Sequence, residues 1–205
     1  MKKTRRVHLV TPLAEEDTRS LRIGDLVYLS GVVYTARDLA HRRVTEYIDR
    51  GISLPIELRN TTIFHAGPIV EVEAAKRQLI VVGPTTSMRM EPYEARLIEL
   101  GVKAVVGKGG MGEKTSRALE EYGGVYLVAA PGCGIIHASS VKRIVDVHWP
   151  ELGVMEAIWV LEMNDWGPLT VAMDSKGGNL FEEVLKESKR RLPSIYESLR
   201  LQPQK

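Results

Sequence analysis

The chain has 205 residues, 44% of them hydrophobic and 26% charged, which is enough to bury one good-sized core and excludes the disordered and low-complexity classes. Its formal net charge of +2 gives no reason to expect a nucleic acid or a membrane surface as partner, and leaves room for a small anion held by a few local cations. Cys133 is the single cysteine, which excludes an internal disulfide framework, makes a reducing compartment the default, and falls short of the roughly four thiolates that hold an iron–sulfur cluster.

The basic opening Met-Lys-Lys-Thr-Arg-Arg has no apolar stretch behind it, so it does not read as a signal peptide. No run is long enough to span a bilayer, and the expected location is the cytoplasm. Val7 to Pro12 reads as a short extended segment. Asp25 to Tyr34 is rich in strand formers, with a bend at Gly31. Thr35 to Arg50 reads as a helix, with Ala40, Val44, Tyr47 and Ile48 at helical spacing and Gly51 ending it. Thr61 to His65 and Ile69 to Glu73 read as strands around a Gly67-Pro68 turn.

The middle of the chain alternates. Leu79 to Val82 reads as a strand, Gly83 to Arg89 as a turn, and a helix follows with Tyr93, Leu97 and Leu100 on one face. Ala104 to Val106 reads as a strand, Gly107 to Gly112 as a glycine-rich turn, Glu113 to Tyr122 as a helix, and Val125 to Ala129 as a third strand ending at Pro131-Gly132. This rhythm predicts parallel βαβ units. Val141 to His148, Ala157 to Glu162 and Leu169 to Met173 read as antiparallel strands, and Phe181 to Leu192 as a helix that can continue past Pro193. The expected whole is a single layered α/β domain over residues 1–205, its core at about 7–192, with parallel βαβ units and additional antiparallel strands.

Four segments carry polar groups suited to chemistry. Thr35-Ala-Arg-Asp38 has the spacing of a capping box. Arg37 beside a helix N-terminus would suit a carboxylate or phosphate, although a cation there that points to solvent or pairs with an acid is the simpler reading. His41 lies one turn on. Gly83-Pro-Thr-Thr-Ser-Met-Arg89 follows a strand and offers an anion several donors, Thr85, Thr86 and Arg89 among them; the same residues would also serve as a cap. Gly107-Lys-Gly-Gly-Met-Gly112 matches G-x-G-x-x-G, but the acid expected about 20 residues on is missing, and Lys108 is not followed by Ser or Thr as in a P-loop. Lys108 on a flexible turn remains, either as an anion contact or as part of a plain tight turn. Pro131-Gly-Cys-Gly134 places Cys133 near the same edge, where a lone cysteine is more often packing than ligand. His65 either lines this cleft or ends a strand. Arg37, Arg89 and Lys108 together suggest a pocket for a ligand of about two negative charges, such as a dicarboxylate.

The ordered set TARDLAH (Thr35 to His41), FHAGP (Phe64 to Pro68), GPTTSMRM (Gly83 to Met90), GKGGMG (Gly107 to Gly112) and PELGVMEAIW (Pro150 to Trp159) resembles the beta subunit of class I, iron–sulfur-dependent fumarate hydratases and L(+)-tartrate dehydratases. The resemblance runs from about Thr11 to Leu185. It implies a swivelling β/β/α domain docked on a cluster-bearing alpha subunit, whose [4Fe-4S] cluster has one iron free to bind substrate as a Lewis acid. It implies that Arg37, Arg89 and Lys108 bind substrate carboxylates and that Thr85 acts as base, with no metal held by this chain itself. Asp38, His41, Thr86 and Gly109 are carried as neighbours of the pocket. GPTTSMRM and the Pro-Gly-Cys corner are similar to tartrate dehydratases, and MEAIW to fumarases; the expectation is fumarate, the more widespread activity. A dinucleotide-dependent oxidoreductase and a non-catalytic scaffold subunit stand as rivals.

Overall fold

A computed structural model of the chain describes residues 4–73 and 76–199. β1 (Arg6–Val10) lies parallel to β2 (Leu26–Thr35), with the short helix α1 (Glu15–Ser20) between them. β2 bends at Gly31, where φ is +97° and a Cβ would come within 2.8 Å of the Thr11 carbonyl; only glycine suits that close approach. α2 (Asp38–Asp49) follows, and its buried stripe is Ala40, His41 and Val44. β3 (Thr62–Phe64) runs almost directly into β4 (Ala66–Glu73), which pairs antiparallel with β5 (Lys76–Pro84). A 3-10 turn at Ser87–Met90 leads into α3 (Glu91–Glu99). Then come β6 (Ala104–Gly107), α4 (Glu113–Tyr122) and β7 (Val125–Val128). The chain continues through α5 (Gly134–Ser139), β8 (Val141–His148), β9 (Ile158–Met173) and α6 (Leu180–Ser198).

β2, β3, β6 and β7 pair in that order, all parallel, and β9 runs antiparallel to both β7 and β2. These pairings close the strands into a ring. Alternation of side chains across the closed sheet splits the core in two. Ala104, Val106, Val125 and Leu127 point inward with Phe64, Leu161 and Trp166. Val105 and Tyr126 point outward, under Val44 of α2, Leu97 and Ile98 of α3, and Leu119 of α4. Burial on both faces explains why β6 and β7 read as unbroken apolar runs.

The expected α/β class with parallel and antiparallel strands is what the molecule has, but four local expectations need correction. Gly67-Pro68 is not a turn; both residues lie inside β4, and β4 reverses into β5 instead. Leu79 to Val82 therefore belongs to a separate two-stranded hairpin and not to the parallel sheet. The buried face of α3 is Glu94, Leu97 and Ile98, whereas Leu100 is partly exposed. The two strands expected in 157–173 are one sixteen-residue strand. Its first half pairs with β8 up to Met163 and its second with β7 from Thr170, while β2 pairs with it from Val160 to Thr170. The polar stretch between those halves is where β9 changes partner. α5 was not foreseen, being only six residues long. α6 does continue past Pro193, starts on an Asn179 cap, and buries none of its side chains.

Candidate functional site

Strand direction brings the site together. β2, β3 and β6 end side by side, and their carboxyl ends deliver Arg37, His65 and Lys108 to one edge, where ligands gather on parallel sheets. The Gly83–Arg89 segment arrives at that edge from the hairpin. It is stitched in by backbone hydrogen bonds: Thr85 N–H donates to the His65 carbonyl at 2.7 Å, Lys108 N–H to the Thr85 carbonyl at 3.3 Å, and Ser87 N–H to the Lys108 carbonyl at 3.1 Å. Thr86 and Lys108 form a parallel bridge. Thr85 and Lys108 thus sit on adjoining backbone.

Arg89 reaches across to the start of α2. Its Nε donates to Asp38 Oδ1 at 3.0 Å, its Nη2 pairs with Asp38 Oδ2, and its Nη1 approaches Thr85 Oγ1 at 3.4 Å. Arg37 is the residue before the helix, and its Nε lies 3.2 Å from Glu156 Oε1. The other oxygen of Glu156 accepts from Leu39 N–H at 3.0 Å. A distant carboxylate therefore caps α2 and holds Arg37. The capping-box reading of Thr35 is corrected accordingly: Thr35 Oγ1 instead accepts from Trp159 N–H at 3.0 Å. Glu156 was missed as a site residue, although it lies within the PELGVMEAIW string.

Among the described residues no carboxylate pairs with Lys108. Thr86, Arg89 and Gly109 are exposed, while Thr85, Arg37, Asp38 and Lys108 are half-buried. At this edge Lys108 thus stands beside two ion pairs, Arg89–Asp38 and Arg37–Glu156. A cavity of about 420 Å³ lies elsewhere, beside Thr11, Val32, Tyr34, Glu57 and Arg59.

The glycine-rich turn has its own explanation. A Cβ on Gly107 would overlap Ser87 Oγ, and one on Gly112 would lie 2.6 Å from Glu91 Oε1. Glu91 accepts from Gly112 N–H at 2.7 Å and from Thr115 N–H at 3.2 Å, at the start of α4. A dinucleotide would place its pyrophosphate on that helix terminus; here a protein carboxylate already occupies it. Gly107 and Gly112 reflect close packing, and Gly109 a positive φ.

Beneath the edge lies a fully buried cluster. His41 is not on the surface of the pocket; it is completely enclosed. Its Nε2 is 3.2 Å from Glu94 Oε2, and His65 Nε2 is 2.9 Å from the same oxygen. His65 Nδ1 meets Ser87 Oγ at 2.9 Å, to which Tyr126 O–H donates at 2.8 Å. Burial alone would raise the Glu94 carboxyl, but the facing His65 and His41 rings overcome it and hold the group at about 2. Burial pushes His65 down from its ordinary value, against the pull of Glu94. The ligating atoms of His41, His65 and Glu94 lie within 4.8 Å of one another, a spacing a divalent metal can bridge. Their direct nitrogen–oxygen distances are nevertheless those of hydrogen bonds. No sequence motif joins these residues: His41 lies on α2, His65 between β3 and β4, and Glu94 on α3.

Residues 1–184 match the family model described as Fumarase C-terminus. The chain belongs to this family. It is similar to the L(+)-tartrate dehydratase subunit beta of Escherichia coli (strain K12), with 43% identity over 192 residues covering 93% of this chain and 94% of that one. It is 44% identical over 185 residues, 89% of this chain and 95% of the other, to the putative L(+)-tartrate dehydratase subunit beta of Methanocaldococcus jannaschii. A putative fumarate hydratase class I of Geobacillus stearothermophilus is 37% identical over 193 residues, 93% of this chain but 36% of that protein. The beta-subunit resemblance read from the five motifs is thereby established, and with it a hydro-lyase family.

Proposed function

We propose that this chain is the beta subunit of a two-subunit hydro-lyase that interconverts fumarate and L-malate. The observation that carries the reading is the convergence of Arg37, Thr85, Arg89 and Lys108 on one open edge. Arg37, Arg89 and Lys108 bind the two carboxylates, and their charge stabilises the negative charge that develops beside a carboxylate when the carbon-bound proton leaves. Thr85 takes that proton. Its hydroxyl lies against an Arg89 N–H, a neighbour that favours the anionic form of the oxygen. Asp38, Thr86 and Gly109 shape the same rim.

With Cys133 as its one cysteine, the chain does not offer the thiolate set of a [4Fe-4S] cluster. The cluster is assigned to an alpha subunit, which would close over the open edge and supply the acid. In this reading residues 1–205 form one swivelling domain docked on that subunit, acting in the cytoplasm; no helix among the described residues is long and apolar enough to cross a membrane.

L(+)-tartrate is the second reading, favoured by the names of the relatives at 43% and 44% identity. Fumarate rests on the likeness of MEAIW to fumarases and on the wider occurrence of that activity; the contact of Glu156 with Arg37 serves either substrate. The deciding experiment is an anaerobic assay of the chain with its cluster-bearing partner, and of each alone, on fumarate and on L-tartrate. Fumarate turnover only in the mixture is expected. Preference for tartrate would move the assignment to the second reading, and no turnover of either by an intact complex would overturn both.

A further inference from the structure

His41, Glu94, His65, Ser87 and Tyr126 form one buried chain of hydrogen bonds, and His41, His65 and Ser87 within it touch the backbone of all three site segments. The donors and acceptors determine its proton arrangement. The Arg37 carbonyl can only accept, so the His41 Nδ1 that meets it at 2.8 Å carries hydrogen. Ionised Glu94 Oε2 can only accept, so the Nε2 atoms of both His41 and His65 also carry hydrogen. His41 is then protonated on both nitrogens. At the far end Tyr126 donates to Ser87, whose hydroxyl can then donate to a bare Nδ1 on His65, the neutral form that burial of that ring favours.

Three of its members also hold pieces of the candidate site. His41 grips the Arg37 carbonyl. His65 accepts the Thr85 N–H on its own backbone carbonyl and takes its side-chain bond from Ser87, whose N–H holds the Lys108 carbonyl. Glu94, on α3, joins the Arg37 side to the Thr85–Lys108 side from beneath, as the Arg89–Asp38 pair does at the rim. Its other oxygen is buried without a partner among the described residues, so the two rings carry the hydrogen bonding seen at this carboxylate.

We propose that the His41–Glu94–His65 triad is a positioning device, with a doubly protonated His41 and a neutral His65 clamped on one carboxylate, that keeps Arg37, Thr85 and Lys108 in a single constellation. These are positioning residues, since none of them reaches the open edge. The proposal rests on the assignment of that edge as the substrate site. Geometry of this kind matters because small displacements of binding groups cost large factors in rate.

Two measurements test it. Nitrogen-15 NMR of the full chain reads the ring states directly: His41 should show hydrogen on both nitrogens, and His65 on Nε2 only. A doubly protonated His65, a neutral His41, or stoichiometric transition metal in the purified chain would overturn the proposal. In the assembled complex, Glu94→Gln should lower kcat/KM by roughly tenfold to a hundredfold, assayed well below its melting temperature, and His41 should lose one ring hydrogen. If that variant does not fold, Ser87→Ala is read in the same way, with a fall in kcat/KM and loss of the single His65 tautomer expected. Normal kinetics in Glu94→Gln beside an impaired Arg89→Ala would sink the positioning role and leave the site reading intact. Normal kinetics in both would sink the site reading, and this inference with it.

Discussion

Arg89 and Asp38, fifty-one residues apart in sequence, form a forked ion pair that joins the turn after β5 to the first residue of α2. The same guanidinium extends Nη1 toward Thr85 Oγ1. Asp38 thus aims a cation at the hydroxyl proposed to move the proton. Replacing the planar fork by a single ammonium cannot serve both contacts. Arg89→Lys is expected to lower kcat/KM of the complex about tenfold and Arg89→Ala about a hundredfold, in line with the loss of charge-assisted hydrogen bonds. Steady-state kinetics on fumarate check this, and wild-type values in Arg89→Ala would contradict it.

Thr85 can be separated from the binding groups by which constant changes. Thr85→Ala removes the hydroxyl while leaving the backbone bonds to His65 and Lys108 in place. It should lower kcat by about 10²–10⁴-fold with little change in KM, the size expected for loss of a general base. Thr85→Ser should recover most of the rate. A variant that changed KM and spared kcat would make Thr85 a binding residue only.

Gly107 has no room for a methyl group against Ser87 Oγ, and Tyr126 Oη is only 3.1 Å from where it would lie. Gly107→Ala should therefore destabilise the chain by about 2 kcal/mol, lowering Tm by roughly 6 °C. Gly109, with φ at +74° and open space around it, should tolerate Asn better than Gly107 tolerates Ala. Thermal melts of the two variants decide between packing and plain flexibility in this turn.

The carboxylate of Glu91 at the start of α4 predicts that NAD will not bind saturably. Calorimetric titration of the chain with NAD should give only dilution heats. Saturable binding would restore the oxidoreductase reading.

The buried cluster sets a direction for acid stability. Unfolded, His65 takes up a proton below its ordinary value of 6.5; folded, burial holds it lower. Glu94 takes one up below 4.5 when unfolded but only near 2 when folded. For these two groups the unfolded chain binds more protons, so the stability they contribute is present in full above the unfolded value and is lost as pH falls. Tm should begin to decline below about pH 6.5 and fall more steeply below about 4.5. Glu94→Gln should shrink the second stage. A Tm that stays flat from pH 7 to pH 4 would contradict the buried arrangement.

Elements whose own chemistry was decisive were legible in the sequence. The apolar run at β6, the amphipathic stretch of α4 and the return strand β7 are local patterns, and the structure places them within a residue of expectation. The hairpin was misread because Gly67-Pro68 looks like punctuation. In the fold those residues lie on β4, and a Cβ at Gly67 would meet the backbone of Met155 and Arg37 Nη1. The glycine there serves a close approach, and sequence cannot tell that from a turn.

Sequence by itself determined which polar groups stand at strand ends. Arg37, Thr85, Arg89 and Lys108 each follow an extended run, and the backbone direction of such a run is a local property. Tertiary structure alone decided what those groups meet. Asp38 turned toward Arg89, Glu156 came from beyond β8 to hold Arg37 and cap α2, and Glu91 filled the terminus of α4. In the sequence His41 reads as a neighbour of the pocket and His65 as either a cleft residue or a strand end, and nothing marks Glu94. Closing the sheet into a ring placed all three under one edge, away from water, where ionised Glu94 is stable only because both rings donate to it. Desolvation is a property of the assembled molecule, and so the charge pattern beneath the site could not be read before the chain was folded.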